Sequence, residues 1–188
     1  MLKSTMKWVL LSTLILQISS CRPTSNAAKA EAAYQQGLAQ EKKQDFKSAV
    51  NSYSEAIKYN PKAFKAYFHR GLSRGSIDMG SENKILMVED FTRAIDLKPD
   101  LLVLYDMRAI VRSGTGDQQG ALADQNHIIK QKPNWATAYL MRSRVYYELG
   151  DKVRQKEDMS KFTSLSKNKT IFQAEMDEKA VLSKALDF

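Results

Sequence analysis

The chain has 188 residues, 43% of them hydrophobic, which suffices for one ordinary domain or a short repeat array. Only 8 glycines and 4 prolines occur, and this scarcity disfavours a turn-rich β-sandwich or barrel. The formal charge is +8, and a single cysteine excludes a disulfide within the chain and a cysteine-based metal site.

The first 20 residues predict an export signal. Lys3 and Lys7 precede an apolar run over residues 8–18, and no acidic residue accompanies them. The run is too short to cross a bilayer, which requires about 20 residues. A short basic segment followed by a short apolar one is typical of a secretory signal peptide.

The end of this segment, Ile18-Ser19-Ser20-Cys21, resembles the lipobox of bacterial lipoproteins. The resemblance implies that Cys21 becomes the first residue, carries palmitate or similar acyl chains, and is followed by a short tether to residue 26. Several acyl chains anchor a protein stably where one is marginal. The expected location is the bacterial cell envelope, and Arg22 favours the outer membrane facing the periplasm, with surface exposure also open. The alternatives are an uncleaved anchor or an ordinary signal with an incidental thiol.

The remainder of the chain repeats. Pro61, Pro99 and Pro133 are spaced by 38 and 34 residues, and each closes a similar phrase. The pattern resembles the tetratricopeptide repeat (TPR), a helix–turn–helix unit of about 34 residues. In the first unit the residues at the family's offsets are Gly37, Ala49, Tyr53, Ala56 and Pro61. The repeat domain is expected over 27–168, with units at 30–63, 64–101, 102–135 and 136–168.

The resemblance implies an all-α, right-handed α-solenoid of about four TPR-like units, in which stacking of units supplies the core. A C-terminal capping helix is expected over 169–188. The second unit has four extra residues, which we expect in its turn at 76–82. Because proline ends a helix, the residues after it start the next one, and Asp100 and Asn134 are expected as N-caps.

Two registers of opposite charge predict structural ion pairs. Arginine recurs at one register and aspartate at another, whereas the first unit has Gln36 and Ser52 there. We expect the pairs to join the two helices of a unit; they are Arg70–Asp90, Arg108–Asp124 and Arg142–Asp158. The alternative is an anion site or an acid–base group.

The TPR resemblance also implies that first helices line a concave groove. The residues predicted to face it are Tyr34, Leu38, Lys65, Phe68, Leu72, Asp106, Ile110, Leu140, Arg144 and Tyr147, with Glu41 and Val103 at the same offsets. This mixture of apolar, aromatic and charged side chains suits an amphipathic helix or an extended peptide. The alternative is that several of them pack against neighbouring first helices. Chaperone-binding relatives have a carboxylate clamp where this chain has Tyr34 and Leu38, which argues against capture of a C-terminal carboxylate.

Little in the sequence indicates catalysis. His69 and His127 have no carboxylate or thiol near them in the sequence pattern, so we interpret both as structural or solvent-facing. No phosphate-binding loop or zinc-binding spacing occurs, and we expect no enzyme activity, cofactor, metal or small-molecule substrate. An exported chain rarely meets nucleic acid, so we expect no such partner despite the basic charge. The acid-free stretches 58–74 and 127–147 suggest anionic lipid or an acidic partner, with scattered solvated charge as the alternative.

The predicted function is therefore that of a non-catalytic adaptor or scaffold, anchored in the cell envelope, that binds a segment of another envelope protein in the groove. Two alternatives share this architecture. One is a pilotin-like or outer-membrane assembly lipoprotein, and the other is an adaptor for a peptidoglycan-modifying enzyme.

Overall fold

The computed structural model describes residues 25–166, and within this range the chain forms helices and no strand. The predicted signal peptide, Cys21 and the predicted capping helix lie outside the described residues. The helices are α1 (Asn26–Lys42), α2 (Phe46–Tyr59), α3 (Phe64–Ile77), α4 (Ser81–Leu97), α5 (Leu102–Gly114), α6 (Gln118–Gln131), α7 (Ala136–Glu148) and α8 (Lys152–Ser166).

Each helix packs against the next one along the chain, so the described residues form a solenoid of four helix pairs. The all-α solenoid predicted from the repeats is confirmed. Helix α1 begins at Asn26, four residues before the expected start of the first unit, and the Ala28 amide donates to the Ser25 hydroxyl at its N-cap. None of the described helices is long and apolar enough to span a membrane.

The four extra residues of the second unit lengthen its helices, and the prediction that they enlarge its turn is wrong. The turn at 78–80 has three residues, as do those at 43–45, 115–117 and 149–151. Helix α3 has 14 residues against 13 in α5, and α4 has 17 against 14 in α6. The longer α4 extends toward the next unit, where Lys84 Nζ donates to the Gly114 carbonyl at the end of α5, at 3.0 Å.

The helix starts also differ from prediction. Leu101 and Trp135, not Asp100 and Asn134, are the N-caps of α5 and α7, and neither makes a side-chain capping bond. These helices begin two residues after Asp100 and Asn134. The two polar side chains therefore precede the N-cap position by one residue and cannot act as caps there. The second helices α2, α6 and α8 have aspartate caps, and the side chain of Asp117 accepts from the Gly120 amide at 2.9 Å, whereas Gly80 gives α4 no side-chain cap.

The core lies between helices of the same unit and between successive units. Tyr53, Phe91, Leu104 and Ile128 are fully buried, and small residues let the helices approach. The cluster around Phe91 combines residues of α3, α4 and α5, so no unit buries its apolar surface alone.

Candidate functional site

The arginine–aspartate pairs join the two helices of a unit. Their Nη2 to Oδ1 distances are 2.6–2.7 Å for Arg70–Asp90, Arg108–Asp124 and Arg142–Asp158. The aspartate side chains are nearly inaccessible, with 2–6% of their surface exposed. A charge-assisted pair in this setting holds the helices in register.

Each arginine also contacts the preceding unit, which the sequence pattern did not reveal. Its Nη1 donates to a polar side chain on the second helix of that unit, at 2.6–3.1 Å: Arg70 to Ser54, Arg108 to Thr92 and Arg142 to Asn126. All three acceptors lie 16 residues before their arginine. This constant spacing was available in the sequence as a signal.

A second arginine reaches two of the aspartates. Arg74 contacts Asp90, and Arg112 Nη1 donates to Asp124 at 2.9 Å. These arginines lie four residues after Arg70 and Arg108, on the same helix face.

The first unit replaces the ion pair by a neutral bond. Ser52 Oγ donates to Gln40 Oε1 at 2.7 Å, so its partner is Gln40 and not Gln36, the residue at the arginine register. Gln40 lies one helical turn further along α1. All four units therefore have a polar link between their helices.

Helices α1, α3, α5 and α7 form what we call the first-helix face, where the predicted groove residues differ in exposure. Ile110, Arg144 and Tyr147 are exposed, and Tyr147 retains 66% of its surface. Four are half-buried, namely Tyr34, Leu38, Lys65 and Leu72.

Three predicted groove residues are buried and do not line an accessible surface. Phe68, Asp106 and Leu140 expose only 2%, 5% and 3%. Phe68 packs against Phe91 of α4, with ring centroids 6.1 Å apart, and Leu140 packs with Phe162 of α8. The contacts of all three lie on the second helix of the same unit, so these side chains face into the unit and not into the predicted groove. Val103, at a corresponding offset, is also buried.

The first-helix face has a cleft at its N-terminal end, between α1 and the start of α3. Its volume is about 600 Å³, within the range of ligand-binding pockets. Tyr34 and Leu38 line one side, and Phe64 and Lys65 line the other. We call this the N-terminal cleft.

A second, smaller cleft lies between α5 and α7 and has a volume of about 130 Å³. Ile110, Met141 and Val145 make it largely apolar, and Arg144 adds a positive charge. Gln125 of α6 contributes a polar group. We call this the C-terminal cleft; it suits an apolar side chain of a bound segment.

Behind the C-terminal cleft lies a buried carboxyl group. Gln125 Nε2 donates to Asp106 Oδ1 at 2.6 Å. Burial raises the pKa of Asp106 above its ordinary value, although the Gln125 hydrogen bond and the charge of Arg144 act in the opposite direction. The negative charge of Asp106 is therefore costly at neutral pH.

This cost predicts that Asp106→Asn is more stable than the wild type at high pH. A raised native pKa gives stability that is complete below the unfolded pKa and is lost as pH rises through the native value. Asparagine keeps the acceptor for Gln125 and has no ionisable group. We therefore expect the free energy of unfolding to increase by about 1 kcal/mol near pH 8 and to be unchanged near pH 4. Urea unfolding at both pH values measures it, with the exposed Asp96→Asn as control. If Asp106→Asn lowered the free energy of unfolding equally at both pH values, the cost of burying the Asp106 charge would be contradicted.

His69 lies in a buried polar cluster, contrary to the expectation that no carboxylate is near it. His69 Nδ1 is 3.0 Å from Glu41 Oε2, and Ser73 Oγ donates to Glu41 Oε1 at 2.6 Å. Burial raises the pKa of Glu41, but the bonds from His69 and Ser73 and the charge of His69 outweigh it and hold that pKa below its ordinary value. Glu41 lies 28 residues away in the first unit, so sequence proximity could not reveal it.

The His69 cluster connects the first two units. The His69 ring and the Ser73 hydroxyl contact different oxygens of the Glu41 carboxylate. His127 is half-buried and stacks on Tyr105, with ring centroids 4.2 Å apart. Within residues 25–166, no group of three or more His, Cys, Asp or Glu side chains could hold a metal ion.

Comparison with known proteins supports the repeat assignment. The family model described as "Tetratricopeptide repeat" matches residues 30–63. Serine/threonine-protein phosphatase 5 of Rattus norvegicus is 31% identical over 115 residues, which cover 61% of this chain and 21% of that protein. Tetratricopeptide repeat protein 13 of Homo sapiens is 26% identical over 144 residues, covering 76% of this chain and 16% of that protein. The chain thus spans about a fifth or less of these relatives.

Solved structures share the fold. MamA has a TM-score of 0.68 at 19% identity, covering 74% of this chain and 80% of its own. YrrB, described as a TPR protein with an unusual peptide-binding site, has a TM-score of 0.68 at 18% identity, covering 83% and 76%. The first TPR of Spaghetti (RPAP3), bound to an HSP90 peptide, has a TM-score of 0.58 at 16% identity, covering 66% and 95%. The chain has the all-α solenoid fold of tetratricopeptide-repeat proteins.

Proposed function

We propose that the protein is a non-catalytic adaptor whose first-helix face binds a segment of a partner protein. The observation that carries this proposal is the accessible apolar surface on that face. Ile110 is 45% exposed at the C-terminal cleft, and Tyr147 is exposed on the neighbouring helix. The N-terminal cleft continues the face with Tyr34 and Leu38. Apolar anchors at successive clefts suit an amphipathic helix or an extended segment.

The relatives support this class of function. YrrB is described by a peptide-binding site, and Spaghetti was solved with a bound HSP90 peptide. The present chain differs at the N-terminal cleft, where Tyr34 and Leu38 replace the polar clamp expected for a carboxylate terminus. We therefore propose an internal segment of the partner as the ligand.

The proposed setting is the bacterial cell envelope, with Cys21 lipidated and the outer membrane as the site. The sequence Ile18-Ser19-Ser20-Cys21 supports this part of the proposal. The three residues between Cys21 and Ser25 are few, so an anchored Cys21 would hold Ser25 within about 14 Å. Pilotin-like or barrel-assembly roles and an adaptor for a peptidoglycan-modifying enzyme remain the alternatives, and they differ only in the partner.

One capture experiment separates the two parts of the proposal. Tagged protein is captured from host membranes as wild type, Cys21→Ser and Ile110→Glu, with Ile85→Glu on second helix α4 as a control at a more exposed isoleucine. We expect Cys21→Ser to leave the membrane fraction and to lose metabolic palmitate. Ile110→Glu should stay in the membrane and retain less than about a tenth of the partner, since a buried charge at an anchor position is unfavourable. Equal capture of the partner by the Ile110 and Ile85 variants would contradict partner binding at the groove. Unchanged palmitate labelling of Cys21→Ser would contradict lipidation of Cys21.

A further inference from the structure

The solenoid has two edges of different character. Because consecutive helices joined by short turns run in opposite directions, each first helix begins on the edge where each second helix ends. We call this the unit-boundary edge; its loops are residues 60–63, 98–101 and 132–135. The opposite turn edge has the turns at 43–45, 78–80, 115–117 and 149–151. Helix α1 begins on the unit-boundary edge, so the chain enters the fold there.

The unit-boundary edge has an excess of lysine over acidic residues. Within four residues of its loops and in the first turn of α1, six exposed lysines accompany only two acids, Asp96 and Asp100. The lysines are Lys29, Lys58, Lys62, Lys98, Lys130 and Lys132. Four of them, Lys58, Lys62, Lys130 and Lys132, come from the two acid-free stretches, which are distant along the chain.

The turn edge lacks this excess. Within four residues of its turns, seven acids offset the lysines and arginines; the acids are Glu41, Asp45, Asp78, Glu82, Asp117, Glu148 and Asp151. The positive charge of the described residues is thus distributed unevenly, and its concentration on one edge produces a local field.

Aromatic rings accompany the lysines. Lys132 Nζ lies 4.9 Å from the Trp135 ring centroid, Lys98 Nζ lies 5.7 Å from that of Phe64, and Lys29 Nζ lies 5.4 Å from that of Tyr59. The three rings are half-buried. Aromatic rings and lysines together are typical of surfaces at the level of lipid headgroups, where the ring has an apolar body and the ammonium reaches water or phosphate.

We propose that the unit-boundary edge rests on an anionic lipid surface. In this orientation the helix axes are steeply inclined to the membrane surface. The turn edge points away from the membrane, and the first-helix face is accessible from the side. The entry of the chain at Asn26 favours lipid over an acidic protein, because the segment before it carries the predicted export signal. The lysines attract headgroups within a Debye length of about 8 Å. This orientation goes beyond partner binding and does not require a lipid on Cys21.

The test compares charge reversal on the two edges. All proteins are the full chain with Cys21→Ser, so acylation contributes to none of them. The unit-boundary variant is Lys62→Glu/Lys98→Glu/Lys132→Glu, and the turn-edge control is Lys42→Glu/Lys43→Glu/Lys152→Glu. All six lysines are exposed, and both triple variants change the net charge equally. Circular dichroism verifies that each variant keeps its helices.

Binding is measured by cosedimentation with vesicles of phosphatidylcholine, with or without about 30% phosphatidylglycerol. We expect the unit-boundary variant to bind anionic vesicles at least about tenfold more weakly than the parent, and the control to stay within about threefold. On neutral vesicles all three should bind equally, because the apolar segment 8–18 is common to them. Added salt should reduce the difference between the variants.

Equal losses in the two variants would overturn the proposal, because net charge alone would then explain the binding. No preference of the parent chain for anionic vesicles would also overturn it. If the parent bound soluble polyglutamate but not anionic vesicles, the edge would instead be assigned to an acidic protein. Because Cys21 is replaced throughout and no partner is present, this experiment tests lipid binding at the edge independently of lipidation at Cys21 and of partner binding at the groove.

Discussion

Replacing Asp124 by alanine is expected to lower the free energy of unfolding by about 3 kcal/mol, because it removes one partner of a buried charge network. Asp124 accepts from both Arg108 and Arg112, at 2.7–3.0 Å, and 4% of its side chain is exposed. The variant leaves two guanidinium groups without their shared carboxylate. Urea unfolding monitored by circular dichroism at neutral pH measures the loss.

Three comparisons isolate this cause. Within residues 25–166, Asp158 pairs with one arginine, Arg142, so Asp158→Ala should lose less, about 2 kcal/mol. Asp96 is half exposed, and Asp96→Ala should lose no more than about 0.5 kcal/mol. Adding Arg108→Met to Asp124→Ala should recover part of the loss, since one fewer charge is left unpaired. Wild-type stability in both Asp124 variants would refute the structural role of the network.

Replacing Gly37 by alanine is expected to destabilise the protein, although alanine is favoured over glycine in a helix interior by about 1 kcal/mol. A Cβ atom there would lie 2.5–2.7 Å from three ring atoms of Tyr53. Tyr53 is fully buried, so its ring has no free space into which to move. We expect a net loss of about 1–3 kcal/mol, typical of overpacking, measured by urea or thermal unfolding.

Gly114 provides the matched control because it also lies in a helix but is exposed. The nearest atoms to a Cβ at Gly114 belong to Lys84, at 3.8 Å. Gly114→Ala should therefore be unchanged or slightly more stable. If Gly37→Ala were instead stabilised like Gly114→Ala, helix propensity alone would explain both results, and the close approach of α1 and α2 would be contradicted.

The repeating parts of the fold were predictable because four units within one chain provide internal comparison. Recurrence indicated the helix pairs and the arginine–aspartate registers without any structure. The second acceptors were not predicted, because Ser54, Thr92 and Asn126 differ in chemistry and share only their position. A search for common spacing would have identified them.

Features that depend on contacts between helices were less predictable. Helical spacing predicts Phe68, Asp106 and Leu140 on the first-helix face, but their side chains contact the second helix of the same unit. Glu41 and His69 meet only when the first two units stack. The extra residues of the second unit extend α3 and α4, because repeat spacing gives the number of inserted residues but not their position.

The two proposals give separate roles to the groove and the unit-boundary edge, which meet at the N-terminal cleft because Phe64 belongs to both. In these proposals Ile110 and Tyr147 of the groove contact a partner, and the lysines and aromatic rings of the edge contact a headgroup layer. Attachment at the edge would leave the first-helix face accessible. An adaptor requires both properties, because it must hold its location and its partner together.

Site-specific photo-crosslinking tests the central claim of partner binding most directly. A photoreactive phenylalanine analogue is introduced at Ile110 of the groove and, as a control, at Ile85 of α4, which is at least as exposed. We predict a discrete crosslinked product in host membranes from position 110 and none from position 85, with mass spectrometry locating the crosslink in an internal segment of the partner. A discrete product from position 85 and none from position 110 would contradict the groove as the binding site.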